Sequence, residues 1–242
     1  MNFVNCYDNA TRADAYSTLE FANTYHLAFR DLPEIFRAHV KGLAALDFGC
    51  GTGRSTRFLR GIGLHPVVGV DISEKMVFRA REIDPQGDYR IIPEDDMSAL
   101  PAEGFSLIQS AFTFDNVPGM ETKVRLFRDL RALLTPEGIL VNIVSAPEIY
   151  WNDWASFSTR DFPENRDAGP GDPVKIITTD FHDSSPAVDI LWPHESYVDV
   201  YARSGLEVIE MRKPLATGDE PYRWVSETSI APWSIYTLRR SR

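Results

Sequence analysis

The stretch Leu46-Asp47-Phe48-Gly49-Cys50-Gly51-Thr52-Gly53 constrains this chain more than any other. An apolar run ends beside an acid and passes straight into three alternating glycines. A helical pattern, Ser55-Thr56-Arg57-Phe58-Leu59-Arg60, follows at once. A tight strand-to-helix turn uses backbone angles that a Cβ penalises, and glycine also lets a ligand approach the main chain closely. The following helix aims its free N–H groups at whatever sits there. Dinucleotide-binding folds use a similar device but space their glycines G-x-G-x-x-G. Here Arg54 follows Gly53, so the third glycine falls one residue early.

A second acidic tip lies downstream. Val67-Val68-Gly69-Val70-Asp71 is another apolar run, and an acid ending a second strand is placed to hold a ribose diol. Around these two runs, strands and helices alternate as in a parallel sheet covered on both faces. Strands are expected at 43–48, 66–71, 89–92, 105–110 and 139–145. Ser73 is a natural N-cap for a helix over 74–83. The spacing of Val124, Phe127, Leu130 and Leu134 predicts an amphipathic helix over 121–134, and Thr135-Pro136-Glu137-Gly138 reads as a turn. Ahead of the sheet, Ala15, Leu19, Ala22, His26 and Phe29 recur at helical spacing, and Pro33 opens a short helix to Val40. Beyond residue 146 the pattern changes. Two alternating runs, 174–181 and 187–192, flank Asp183-Ser184-Ser185-Pro186 as a hairpin. A helix over 194–204 and strands over 207–213 and 234–238 complete the chain.

The D-x-G-x-G-x-G run at 47–53, with Asp71 on the next strand, resembles the class I S-adenosylmethionine (SAM) dependent methyltransferases. It is similar to the small-molecule group that includes quinone-biosynthesis enzymes. The resemblance implies an α/β fold: a Rossmann-like, seven-stranded, mostly parallel sheet with helices on both faces and the last strand antiparallel. N-terminal helices and a β-hairpin insertion after strand five are added to it. One domain, 1–242, would divide into a helical cover (1–42), a SAM-binding core (43–146), a substrate-side insertion (147–193) and a C-terminal helix and strand pair (194–242).

The resemblance also implies SAM as cofactor and S-adenosylhomocysteine as product. Asp47 and the main chain of Gly49, Cys50, Gly51 and Gly53 would meet the amino-acid end of SAM, and Asp71 both ribose hydroxyls. Ile72 would rest on the adenine or belong simply to the core. Within Glu94-Asp95-Asp96-Met97-Ser98-Ala99-Leu100-Pro101, Asp96 would take the exocyclic amine and Met97 the ring, with Asp95 competing for that place. The sulfonium is expected beside Ala111 and Phe112. Tyr16 resembles tyrosines that cover the cofactor carboxylate. Two departures stand out: Ser106 replaces an acid early in the fourth strand, and Asp115 and Asn116 stand where a histidine is common.

Methyl transfer asks mainly that nucleophile, methyl and sulfur be aligned and kept dry. A general base is needed only for an acceptor that arrives protonated. Asp115 and His182 are the candidates, with Glu148 and His194 behind them. Tyr150, Trp151 and Trp154 follow the fifth strand at the edge where such sheets bind ligands. With Tyr25 and Asn116 they would wall an acceptor pocket, or else close a small lid core.

A net charge of −10 repels phosphate backbones at long range, which counts against nucleic acid. No Asn-Pro-Pro-Tyr-like run follows the fourth strand, which points the same way. Five scattered histidines and two distant cysteines, Cys6 and Cys50, give no metal-ligand spacing. The cysteines read as free thiols in a reducing cytoplasm. No leader or bilayer-length apolar run is visible, so a cytoplasmic monomer or homodimer without membrane contact is expected. The expected reaction is methyl transfer to oxygen or nitrogen of a small metabolite. The competing readings are a SAM-binding protein of the same fold without methyl transfer and a nicotinamide-dependent oxidoreductase. The latter is disfavoured by the early Gly53 and the missing Tyr-x-x-x-Lys pair.

Overall fold

The computed structural model describes residue 14 and residues 17–19, 21–92, 96–180 and 185–241. Its centre is β1 (Ala45–Phe48), four residues buried without interruption. Such a run suits a strand covered on both faces. Parallel neighbours flank it: β2 (Val67–Asp71) on one side and β4 (Phe105–Ala111) on the other. The full sheet has the order β3-β2-β1-β4-β5-β10-β9, with β3 (Asp88–Ile91), β5 (Leu134–Ser145), β9 (Leu206–Arg212) and β10 (Trp233–Arg240). The last strand, β10, runs antiparallel to both β5 and β9, as expected. The chain leaves β1 towards β2 and β3, then crosses back to β4. That reversal opens a crevice at the carboxyl ends of β1 and β4.

Helices α1 (Thr24–Phe29), α2 (Leu32–His39) and α3 (Arg54–Gly61) cover one face, where Leu27, Leu32, Ile35, Leu59, Val141 and Ile235 share a core. On the other face, α5 (Met120–Leu133) and α6 (His194–Arg203) pack Phe127, Leu130 and Tyr201 against Leu46, Ile108 and Leu140. Helix α4 (Glu74–Ile83) starts where expected, its Ser73 hydroxyl accepting from Met76 N.

Three expectations change. The turn at 135–138 is absorbed into β5 as an irregularity, the register stepping from Phe105↔Leu134 to Leu107↔Ile139. A Cβ on Gly138 would lie 2.9 Å from the Phe105 carbonyl oxygen, so the strand closes up only because glycine is there. The helix expected through residues 15–29 is interrupted at Asn23, whose φ is +52°. Ser156 Oγ accepts from Thr24 N at 3.1 Å and starts α1 there. The inserted hairpin, β7 (Pro173–Thr178) with β8 (Ala187–Ile190), gains a third strand, β6 (Phe157–Ser158), too short to show in the sequence. No helix among the described residues is long and apolar enough to cross a membrane.

Candidate active site

Gly49, Gly51 and Gly53 all take positive φ, at +73°, +52° and +82°. For Gly49 the requirement is double, because a Cβ would fall 2.0 Å from Thr113 Oγ1. The turn is pinned by Gly49 N and Cys50 N, which both donate to Val70 O at 2.8 and 2.9 Å. Asp71 is fixed at the strand tip by two main-chain donors. Gly51 N reaches its Oδ2 at 2.8 Å and Ser73 N its Oδ1 at 2.9 Å. Its carboxylate therefore stands at the rim of the crevice with its orientation set before any ligand arrives.

The cleft runs across the sheet edge. On the α5 face it is walled by Ile92, Val117 and Leu126, with Ile72 half exposed beside them. Its middle is Gly49, Cys50, Gly51, Asp71 and Ala111. At the α1 face it meets Phe29, Arg54, Ser55 and Phe112. Asn116 also lines it. Phe112 holds the left-handed conformation, φ +65°, which a bulky residue adopts only when its surroundings enforce it. Here Phe112 N donates to Ile143 O at 2.8 Å, and the next residue's Thr113 Oγ1 donates to Phe48 O at 3.1 Å.

Several expected residues lie elsewhere. Asp47 does not line the cleft: it is fully buried beneath the turn, where Oδ2 accepts from Ser55 Oγ and Thr56 Oγ1, both at 2.6 Å. Among the described residues its Oδ1 has no hydrogen-bond partner, and burial raises its pKa to about 6 despite the two hydroxyls. Gly53 backs onto Tyr89 rather than the ligand space. Asp96 turns back to accept from Ser98 N at 2.9 Å, and Met97 is sunk in the α5-side core. Ile92, unremarked in the sequence, takes the wall position Met97 was expected to fill.

Asp115 is likewise withdrawn. The one-turn helix Thr113–Asp115 points it inward, where it accepts from Ser145 N at 3.1 Å and Ser145 Oγ at 2.9 Å. Burial and the nearby Asp189 push its pKa up, while burial pushes that of neighbouring Lys123 down. Lys123 donates to the Phe114 carbonyl and sits against the Trp192 and Tyr197 rings.

Tyr150 is buried with its hydroxyl on Asp189 at 3.0 Å, and Trp154 donates Nε1 to Ile149 O at 2.9 Å. With half-buried Trp151, they form lid core. Tyr25 is buried under Phe112, Trp233 and the Arg54 guanidinium. Tyr16, His182 and Asp95 lie outside the described residues.

Sequence reasoning passed over Arg54, noting it only as the residue that breaks the dinucleotide spacing. Its signal was present: a cation opening a helix works against the helix dipole and calls for a reason.

A methyltransferase domain family matches residues 46–142. An S-adenosylmethionine dependent methyltransferase from Mesorhizobium loti shares the fold, with TM-score 0.62 and 22% identity over 88% of this chain and 98% of that one. The core of this chain thus matches a methyltransferase domain, and its fold is that of a solved SAM-dependent methyltransferase. The N-demethylindolmycin N-methyltransferase of Streptomyces griseus is 25% identical to this chain over 187 residues, 76% of it and 78% of that protein. The likeness to quinone enzymes is more local. The 2-methyl-6-phytyl-1,4-hydroquinone methyltransferase of Synechocystis is 34% identical over 102 residues, only 31% of its own length.

The cleft fits SAM chemically. Asp71, already oriented by two amides, would present a carboxylate to a diol. Ile72 and Ile92 offer an apolar slot for a flat ring, and the glycine turn leaves main chain bare for the tail.

Proposed function

We propose that this methyltransferase moves the methyl group to a nitrogen or oxygen of a small metabolite by in-line displacement. Bound SAM supplies an activated methyl on a sulfonium. The protein's own task is to align the acceptor and exclude water. The observation that carries the reading is the aromatic cover at the α1 end of the cleft. Phe112 packs on Trp233 at 4.6 Å and on Tyr25 at 5.7 Å, and Phe29 lies 6.4 Å from Phe112. Rings drawn from α1, the loop after β4 and β10 suit the wall of a pocket for a small molecule and support that reading.

The cleft's chemistry favours nitrogen. Among the described residues lining it, the side chains able to titrate are Cys50, Arg54 and Asp71. Burial raises the Cys50 thiol and keeps it protonated, and Asp71 is clamped at the ribose position. A neutral amine brings its lone pair ready, whereas a phenol or alcohol needs a base. The name of the Streptomyces griseus relative, an N-methyltransferase, supports the same choice.

The test is turnover of SAM with a panel of small amines, phenols and carboxylic acids, read by mass spectrometry. A product heavier by one methyl, made from amines before phenols, is expected. S-adenosylhomocysteine binding with no methylated product across the panel would favour a protein that binds SAM without transferring its methyl.

A further inference from the structure

We infer that the molecule holds a second small-ligand site, a cavity between the ends of β5 and β10 and the start of α6, that takes a short compound bearing both an ammonium and a carboxylate. The inference does not rest on the SAM reading, and no residue around this cavity also lines the cofactor cleft.

The cavity measures about 200 Å³. Pockets for drug-sized molecules start at about 300 Å³, so a metabolite of a few heavy atoms fits and a nucleoside does not. Its floor is buried, with Val144, Tyr197 and Tyr236 from the α5/α6 core and Ser145 and Ser234 at the strand ends. Its rim is polar. Glu148 comes from the 3₁₀ turn Pro147–Trp151 after β5, Lys213 directly follows β9, and Trp192, His194 and Glu195 surround the opening of α6.

One buried acceptor and one buried donor of this rim stand without a partner among the described residues: Glu148 Oε2 and Trp192 Nε1. Native structures leave few such atoms, and each calls for an explanation. The other Glu148 oxygen lies 3.9 Å from Lys213 Nζ, beyond hydrogen-bond reach, so neither charge is satisfied by the other. The floor hydroxyls have spent their hydrogens elsewhere. Ser145 Oγ donates to Asp115 at 2.9 Å and Tyr197 Oη to Phe114 O at 3.4 Å, which leaves lone pairs for the cavity. An ammonium brings three N–H donors to such a set, one for the Glu148 carboxylate and the rest for hydroxyl oxygens. A metal ion is the other cation to consider. Among the described residues no three His, Cys, Asp or Glu side chains gather to hold one.

Lys213 decides the other end of the ligand. A cation beside the ammonium seat disfavours a plain amine and favours a carboxylate on the same molecule. The indole N–H of Trp192 and the first amides of α6, which have no carbonyl one turn back, suit the same group. Glu148 and His194, candidates for a general base from the sequence, thus line this second cavity and not the cofactor cleft.

The probes are 4-aminobutanoate, butylamine and butanoate, which share one carbon chain. Each is titrated into wild type, Glu148→Gln and Lys213→Met and followed on the amide signals of the protein by NMR. Wild type should bind 4-aminobutanoate most tightly, with butylamine next and butanoate last. Glu148→Gln should weaken the two ammonium probes about tenfold and leave butanoate unchanged. Lys213→Met should remove the advantage of 4-aminobutanoate over butylamine. Both side chains are partly exposed, and unchanged binding of S-adenosylhomocysteine shows that a variant is folded. The wild-type ranking tests the inference whether or not a variant folds. Wild type that binds none of the probes, or butanoate as well as 4-aminobutanoate, overturns the inference. Ammonium probes that bind folded Glu148→Gln as they bind wild type overturn it too. So does displacement of 4-aminobutanoate by saturating S-adenosylhomocysteine, which would place the ligand in the cofactor cleft.

Discussion

Replacing Asp47 with asparagine should change how stability depends on pH, by an amount the structure sets. Asp47 is fully buried, with one oxygen held by Ser55 and Thr56 and the other without a partner among the described residues, and its pKa is raised to about 6 from 3.8. A raised carboxyl pKa means the folded state holds the proton more tightly than the unfolded chain does. The contribution to stability is therefore full below pH of about 4 and is lost as pH rises towards about 6, after which it stays lost. The gap between the two values corresponds to roughly 3 kcal/mol. Asparagine keeps the shape and an oxygen for the two hydroxyls but has nothing to ionise. The stability of wild type minus that of Asp47→Asn, from urea denaturation at closely spaced pH values between 4 and 8, should fall by about 3 kcal/mol across the acidic half and then level. Other titrating groups are common to both proteins and largely cancel. A difference that is flat with pH would refute the reasoning, and one that rises would reverse its sign.

Lys123→Met should destabilise by about 1–3 kcal/mol, because it takes the ammonium donor from the buried Phe114 carbonyl. The same urea experiment reads it, and a variant as stable as wild type would contradict the role given to that bond. Gly49→Ala places a methyl 2.0 Å from Thr113 Oγ1 at a φ of +73°, so S-adenosylhomocysteine affinity should drop at least about tenfold. Calorimetry on Gly49→Ala combined with Thr113→Ala should recover some of it, since the collision is relieved though the backbone strain is not.

The sequence carried the sheet and the place of Asp71 at a strand tip clearly, because both rest on patterns that local chemistry enforces. A four-residue apolar run bounded by Asp47 and glycines can be little else than a buried strand, and Asp71 follows from strand length and topology. What it did not carry is side-chain direction in short irregular segments. Asp115 and Asn116 are neighbours in the loop after β4, yet one is buried on Ser145 and the other lines the cleft. The single turn Thr113–Asp115 decides that, and no periodicity reports it. Tyr150 and Trp154 were ambiguous for a related reason. Aromatics after β5 suit a pocket or a lid core equally, and the buried acid Asp189, on a strand nearly forty residues later, draws Tyr150 into the core. Asp96 shows the same limit, since its loop holds the carboxylate locally at Ser98 N, a contact no periodicity reports.

The central claim is that the glycine turn and Asp71 bind SAM. Its most direct test is calorimetric titration of wild type and Asp71→Ala with SAM, S-adenosylhomocysteine and NAD. Binding of both sulfur ligands by wild type, weakened roughly 100-fold or more in the variant through loss of two charge-assisted ribose hydrogen bonds, is the predicted result. Binding of NAD alone, or sulfur-ligand affinity untouched by Asp71→Ala, would contradict it.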